Sequence, residues 1–398
     1  MAQHGKTLRR KDYGFSLVEL MIYMALLGIL MAMMFKSFTP AMRTGSRQWR
    51  VAETKIETGL GLDLLRSDLE SAGFGLPYRF PTGAVLNPYF EPTVPAELAA
   101  LADAPNVPRA LISRDLSPLS MSMNSSDYLA IKALNVVRGV SSQKWGLLAR
   151  DAAHLASIQS LSAEAFVNTD RVIVIRPEVS PGETRQLVLD GANYFARPTV
   201  ADLTPFAPPE AAFDPNGERY LVYGLDNIDP RRPFNRTDYY ISTAGVSSAH
   251  CAPGTGTLVK ATLNQADDNF TILPIVDCVA DFQVVYYLDT NGDGGWDTRA
   301  DANGLNGLTA EQIRDQVKSI RCYVLTHEGG VDRTYTHPTP IINVGEVAAD
   351  GITLQANAGR ALNLTLLPNI VLNPLAPGFW ANYRWKVYSL SVAPKNLK

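Results

Sequence analysis

Signatures of catalysis are missing from this chain. No GxSxG, HExxH or Walker-type phosphate loop occurs along its 398 residues. The five histidines, His4, His154, His250, His327 and His337, show no metal-ligand spacing, and His327-Glu328 reads as a polar loop rather than a catalytic pair. Cysteine is scarce too. Cys251, Cys278 and Cys322 are too few for a disulfide scaffold, and none belongs to a CxxC pair, which removes zinc-ribbon and thioredoxin-like chemistry. A formal net charge of -3 offers no global footing for nucleic acid, and 46% apolar residues exclude a mostly disordered chain. Neither an internal repeat nor a low-complexity segment is present. An enzyme is not the expectation, and the one cofactor any motif suggests is a calcium ion.

What the chain does have is one long apolar run. Residues Met1 to Tyr13 are short, polar and basic, with Lys6, Arg9, Arg10 and Lys11 against Asp12. From Phe15 to Phe35 the chain reads FSLVELMIYMALLGILMAMMF, interrupted by a single charge, Glu19. A run of this length spans a bilayer as a helix, whereas the core of a secretory signal is usually shorter. No small-x-small cleavage site follows it, so the run reads as retained. Basic residues flank both ends, Lys36, Arg43, Arg47 and Arg50 on the far side, so charge alone leaves the orientation tied. Arg43, Arg47 and Arg50 share one helix face, the ordinary pattern of a solvated or headgroup-facing stripe. Glu19 is the oddity, because a carboxylate in an apolar span costs on the order of 2–3 kcal/mol at the centre and less near the interface.

Gly14 followed by Phe15-Ser16-Leu17-Val18-Glu19-Leu20, behind a basic leader and ahead of an apolar run, resembles the class III signal of type IV prepilins. The resemblance implies cleavage between Gly14 and Phe15 by a membrane-embedded prepilin peptidase. It also implies N-methylation of Phe15, and Glu19 as the retained acid of the mature chain. A cytoplasmic leader follows from it as well, which breaks the orientation tie: single pass through the inner membrane, head in the periplasm, then pilus or cell surface. The freed α-amine, with a reference pKa near 8, would be mostly cationic, and a carboxylate in apolar surroundings gains most from such a partner. In the family that acid is thought to meet a neighbouring subunit's N-terminus.

Past the membrane, Ile56, Leu60 and Leu64 recur every four residues, with Leu62, Leu65 and Leu69 alongside, and predict a continuing helix. Pro40 predicts a kink within it, and Gly73 and Gly75 its end. Residues 76–124 read as long surface loops. After them, β-rich runs recur at Tyr128–Leu134, Arg171–Ile175, Gln186–Leu189, Arg219–Val222, Asp238–Ile241, Leu258–Thr262, Asp281–Leu288, Val317–Leu325 and Trp385–Val392. A short helix is expected at Ala310–Gln316, opened by a Thr309/Gln312 capping box. The fold class expected is α+β and pilin-like: a long N-terminal helix packed on a mostly antiparallel β-rich head. Its divisions are a leader at 1–14, a helix at 15–72 with 15–36 in the membrane, and a head at 73–398.

LRSDLESAGFG, SSDYLAIKAL, and DCVADFQVVYYLDTNGDG followed by QVKSIRCYVLTHEG look like the PilW family of minor pilins. That likeness implies a structural subunit that helps initiate or assemble a type IV pilus. Its partners would be other major and minor pilins, met through the N-terminal helix, together with the prepilin peptidase and the inner membrane. A minor pseudopilin of a type II secretion system shares the N-terminal signal and is the nearest alternative. A membrane-tethered calcium-dependent adhesin is the alternative of another class.

Calcium enters through the stretch from Asp289 to Asp297. Oxygens of Asp289, Asn291, Asp293 and Asp297 match positions 1, 3, 5 and 9 of a calcium loop, with Gly294 at the turn. Position 12 is Ala300 rather than glutamate, with Asp301 as a substitute, and a strand precedes the loop. Asp/Asn/Gly clusters also make turns that need no metal. Among the cysteines, three single bridges are open in an oxidising compartment. Cys251–Cys278 is favoured because a hairpin between them could bring both together. Cys278–Cys322 across adjacent strands is the main rival, and Cys322, alternating with Ile320 and Val324, reads as a buried thiol.

Overall fold

A computed structural model describes residues 16–93, 99–115, 123–177, 185–210, 217–226, 228–244, 250–367 and 379–397. Gly14, Phe15 and the rest of the leader lie outside the described residues, as do the side chains of Arg43, Arg47 and Arg50. The chain divides into two units, Met1–Glu53 and Thr54–Lys398.

Helix α1 runs Leu17–Ser71, through Pro40 without a break in its assignment. In the first unit it is apolar and exposed throughout Leu17–Lys36, a stretch long enough to cross a membrane. In the second unit its buried positions are Thr58, Gly61, Leu65, Asp68 and Leu69, and Ala72 is buried just past its end. The apolar spacing pointed to a different flank. Ile56 and Leu60 are 64% and 67% exposed, because the sheet approaches where the helix is narrow, at Thr58 and Gly61. The helix closes as anticipated, with Gly73 at φ +80°, a left-handed conformation that side chains with a Cβ avoid.

Among the described residues, the named strands of the head pair antiparallel throughout, with one isolated parallel bridge between Arg79 and Gln186. Its main sheet follows the order β1 (Leu111–Asp115), β2 (Asp127–Ala133), β9 (Asn235–Ser242), β10 (Gly256–Leu263), β11 (Phe270–Leu288), β13 (Val317–Glu328) and β16 (Arg384–Val392), with β12 (Thr298–Ala300) also on β11. A second sheet runs β4 (Ala156–Ser160), β3 (Trp145–Arg150), β8 (Tyr220–Gly224), β5 (Val172–Arg176) and β6 (Gln186–Leu187), with β7 (Phe195–Ala196) also on β5. A hairpin of β14 (Ile341–Val347) and β15 (Leu354–Asn363) completes it. Helix α2, Ala310–Gln316, has both capping-box bonds between Thr309 and Gln312.

Strand alternation builds two cores on either side of the main sheet. Ile320, Cys322 and Val324 of β13 join Phe282, Val284 and Tyr286 of β11 beneath Leu65 and Leu69 of α1 and the adjoining Ala72. Tyr323 and Leu325 face the other way, into a cluster with Val285, Tyr287, Val344, Tyr383 and Trp385. Burial on both faces is why DFQVVYYL reads as a continuous apolar run instead of alternating. All nine predicted β runs are strands. Sequence reading missed β1, β3, β4, β7, β12, β14 and β15, most of them short or half exposed, where the alternation signal is weak.

Candidate functional site

The N-terminal anchor comes first. Glu19 sits in the first turn of α1, and the Leu20 N–H donates to the Ser16 carbonyl at 3.1 Å. A carboxylate there complements the partial positive charge of the helix N-terminus, which offsets part of its cost in an apolar segment. The acid is therefore placed at one end of the apolar stretch Leu17–Lys36 rather than at its centre.

The acidic loop is occupied by its own hydrogen bonds. Asp289, at the end of β11, accepts from Gly292 N–H at 2.6 Å and Gly294 N–H at 2.9 Å, and its Oδ2 lies 3.3 Å from Lys318 Nζ. Asp297 accepts from Thr290 N–H at 2.7 Å, Asn291 N–H at 3.1 Å, and the hydroxyls of Thr290 and Thr298 at 2.6 Å each. Those hydroxyls, together with the two N–H groups, hold Asp297 down at about 2. At Asp289 desolvation pushes upward, but the glycine N–H donors and Lys318 win and keep its carboxyl below the usual range. Asp293 accepts from Gly295 N–H at 2.8 Å, and Asn291 Oδ1 accepts from Asp293 N–H at 2.9 Å. The four residues proposed as calcium ligands share this one loop. Their oxygens converge on peptide N–H groups of the same loop.

Cys251 and Cys278 form a disulfide, with Cα atoms 4.9 Å apart. Register excludes the rival bridge. Cys322 lies opposite Val284, six residues along β11 from Cys278, or roughly 20 Å at a strand's rise. Cys322 is a free, fully buried thiol, pushed well up by desolvation. Beside the disulfide sits His327, which belongs to β13 and is completely buried, correcting its reading as loop. Its Nε2 accepts from the Ala252 N–H at 2.9 Å and its Nδ1–H donates to the Gly329 carbonyl at 2.9 Å, while Tyr383 and Trp385 pack on the ring. Burial lowers it from 6.5 to about 4, so it is neutral, with both nitrogens spent on backbone.

Sequence reasoning missed a buried charge layer on β2 and β9. Lys132 Nζ lies 2.7 Å from both Glu91 and Asp103, and Arg236 forks onto Asp238 at 2.8 and 2.7 Å while reaching Glu91 at 3.2 Å. Arg109 caps Asp103 at 2.6 Å, and Tyr128 OH donates to Asp238 at 2.6 Å. Desolvation pushes Glu91 up, yet the facing Lys132 and Arg236 charges overcome it and hold the carboxyl below its ordinary range. The network fastens the Pro-rich segment around Glu91 and Asp103 to the sheet. Alternation was the available signal, since Lys132 shares a strand face with Tyr128 and Ala130, and Arg236 shares one with Asp238 and Tyr240.

The site thus defines a class: an apolar helical anchor with one terminal acid, carrying a disulfide-closed, antiparallel β head. Comparison with known families agrees and narrows it. The Prokaryotic N-terminal methylation motif matches residues 9–35, and the Type IV Pilus-assembly protein W family matches residues 238–396. No curated protein and no solved structure matches the chain. The chain therefore carries a type IV pilin signal and a PilW region, and the two together support a pilus-associated minor pilin. Both families are structural.

Proposed function

We propose that this chain is a minor pilin that takes part in initiating or assembling a type IV pilus. The carrying observation is the pairing of a pilin methylation motif at 9–35 with a PilW region at 238–396 on one chain. The PilW match favours a pilus over a type II secretion pseudopilin, which would share only the N-terminal signal. In this reading prepilin peptidase cuts between Gly14 and Phe15, the leader 1–14 stays cytoplasmic, and Phe15 is methylated. The anchor 15–36 holds the subunit in the inner membrane with its head, from residue 73 on, in the periplasm, until the helix is drawn into the fibre among other pilins. Glu19 then meets the N-terminal amine of a neighbouring subunit, the one cation that an apolar helix bundle would offer it.

The test is processing and incorporation together. Intact mass of the mature protein is expected to show loss of residues 1–14 and gain of one methyl group, and Glu19→Ala is expected to be processed yet depleted from sheared fibres. Mature protein that retains its leader, in cells whose other pilins are trimmed, would overturn the reading. Calcium binding by Asp289, Asn291, Asp293 and Asp297 is a separate proposal. The loop's geometry weighs against it, since an ion would have to displace Lys318 and several peptide N–H groups.

A further inference from the structure

Helix α1 offers the head a thin apolar stripe. Of its buried positions from Thr54 onward, only Leu65 and Leu69 are large and apolar, with half-buried Leu62 packed against the same core; Thr58, Gly61 and Asp68 are small or polar. Apolar burial is non-directional, so these three leucines fix the rotation of the helix and its axial position only loosely. Two other features set both. At Gly61 the sheet backbone comes so close that an added Cβ would lie 2.3 Å from the Ile275 carbonyl oxygen. Seven residues on, buried Asp68 accepts from the Tyr239 hydroxyl at 2.6 Å and pairs with Lys260 of β10, whose Nζ also donates to the Val136 carbonyl at 3.0 Å. The nearest other acids on the helix are Asp63 and Glu70. A shift of one residue either way would set Ser67 or Leu69 against Lys260, leaving a buried ammonium without its carboxylate.

We propose that Asp68, with Lys260 and Tyr239, is a register lock that selects one docking of helix on head and thereby decides which flank of the helix faces outward. That flank carries Ile56 and Leu60, one helical turn apart and both largely exposed. A one-residue slip would rotate it by about 100°. Presenting these two side chains at a fixed angle to a neighbouring subunit's helix is the assembly half of the proposal, and it rests on the pilus reading; the lock itself does not. Asp68 is here a positioning residue, acting through the helix it holds.

The lock is tested in the purified full-length chain in detergent. Asn135 Nδ2 lies 3.2 Å from Ser71 Oγ in the native register, so a Ser71→Cys/Asn135→Cys pair reports that register. Glu70→Cys or Ala72→Cys with Asn135→Cys reports the neighbouring ones. With the triad intact, the Ser71 pair should oxidise at least about tenfold faster than either neighbour, since disulfide geometry is strict. In the apolar triple variant Asp68→Leu/Lys260→Met/Tyr239→Phe, which replaces a buried ion pair without leaving a lone charge, a cooperative melt is expected to survive while the preference collapses. Undiminished preference for the Ser71 pair in that folded variant overturns the lock. If the triple variant gives no cooperative melt, the reversed pair Asp68→Lys/Lys260→Asp carries the test: a single register supports the lock and mixed registers refute it. In cells, the triple variant should lose fibres. Normal fibres with mixed registers overturn the assembly half, whereas normal fibres on deleting the whole chain overturn the pilus reading instead.

Discussion

As pH falls from neutral, the head should be destabilised first through His327. Burial holds its ring neutral, at about 4 against the ordinary 6.5. The unfolded chain therefore takes up the proton first. Stability from this residue is complete above about pH 7, falls as pH drops through 6.5, and stops falling below about 4. Linkage over that interval gives a loss of about 2 kcal/mol at pH 5 and about 3 kcal/mol at pH 4. The structural cause is specific: a second ring proton would face the Ala252 N–H, turning an acceptor into a donor beside a donor. Urea melts of the detergent-purified chain, followed by tryptophan fluorescence, measure it at pH 7.5, 5 and 4 in wild type and His327→Gln. The variant should be weaker at pH 7.5 by about 1–3 kcal/mol, because the buried Ala252 N–H loses a well-placed acceptor. It should also lack this part of the acid slope, so that the two proteins converge as pH falls. Parallel slopes in the two proteins would refute the reasoning.

Four further outcomes are expected. Lys132→Met leaves Glu91 and Asp103 facing each other without their shared cation, and should cost about 3–5 kcal/mol in the same urea assay; a change under about 1 kcal/mol would mean the charge layer is wetter than its burial implies. Removing the bridge with Cys251→Ser/Cys278→Ser opens a link across 27 positions and should cost about 3–4 kcal/mol on the chain-entropy account. Cys322 should meanwhile stay unreactive to iodoacetamide until the head unfolds. Titration of the full chain with millimolar Ca²⁺ should release no heat attributable to the acidic loop; a stoichiometric binding isotherm lost on Asp297→Asn would show that the ion outcompetes the loop's own donors.

Much of this protein was legible before any coordinates. The anchor is written in an apolar run with a single charge, because crossing lipid demands consecutive apolar residues. The nine strands were visible where alternation or β-branched density is high, and the α2 capping box because its two bonds join residues three apart. Each of these is a local property, decided by neighbours in sequence. Pairings between distant residues were less legible. Sequence favoured Cys251 over Cys322 as the partner of Cys278, and the register of β11 with β13 then excluded the rival. The acidic loop showed its ligand-like spacing in sequence, but only the fold aimed those oxygens at Lys318 and at glycine N–H groups.

The helix makes the division plainest. Composition determined that Leu17–Ser71 is helical and that its first part is apolar all round. It did not determine which flank meets the head, because leucines and isoleucines are spread over more than one side. Tertiary structure chose the side with Gly61 and Asp68. There a missing side chain lets two backbones touch, and a buried acid finds the lysine and tyrosine that only the assembled sheet brings within reach.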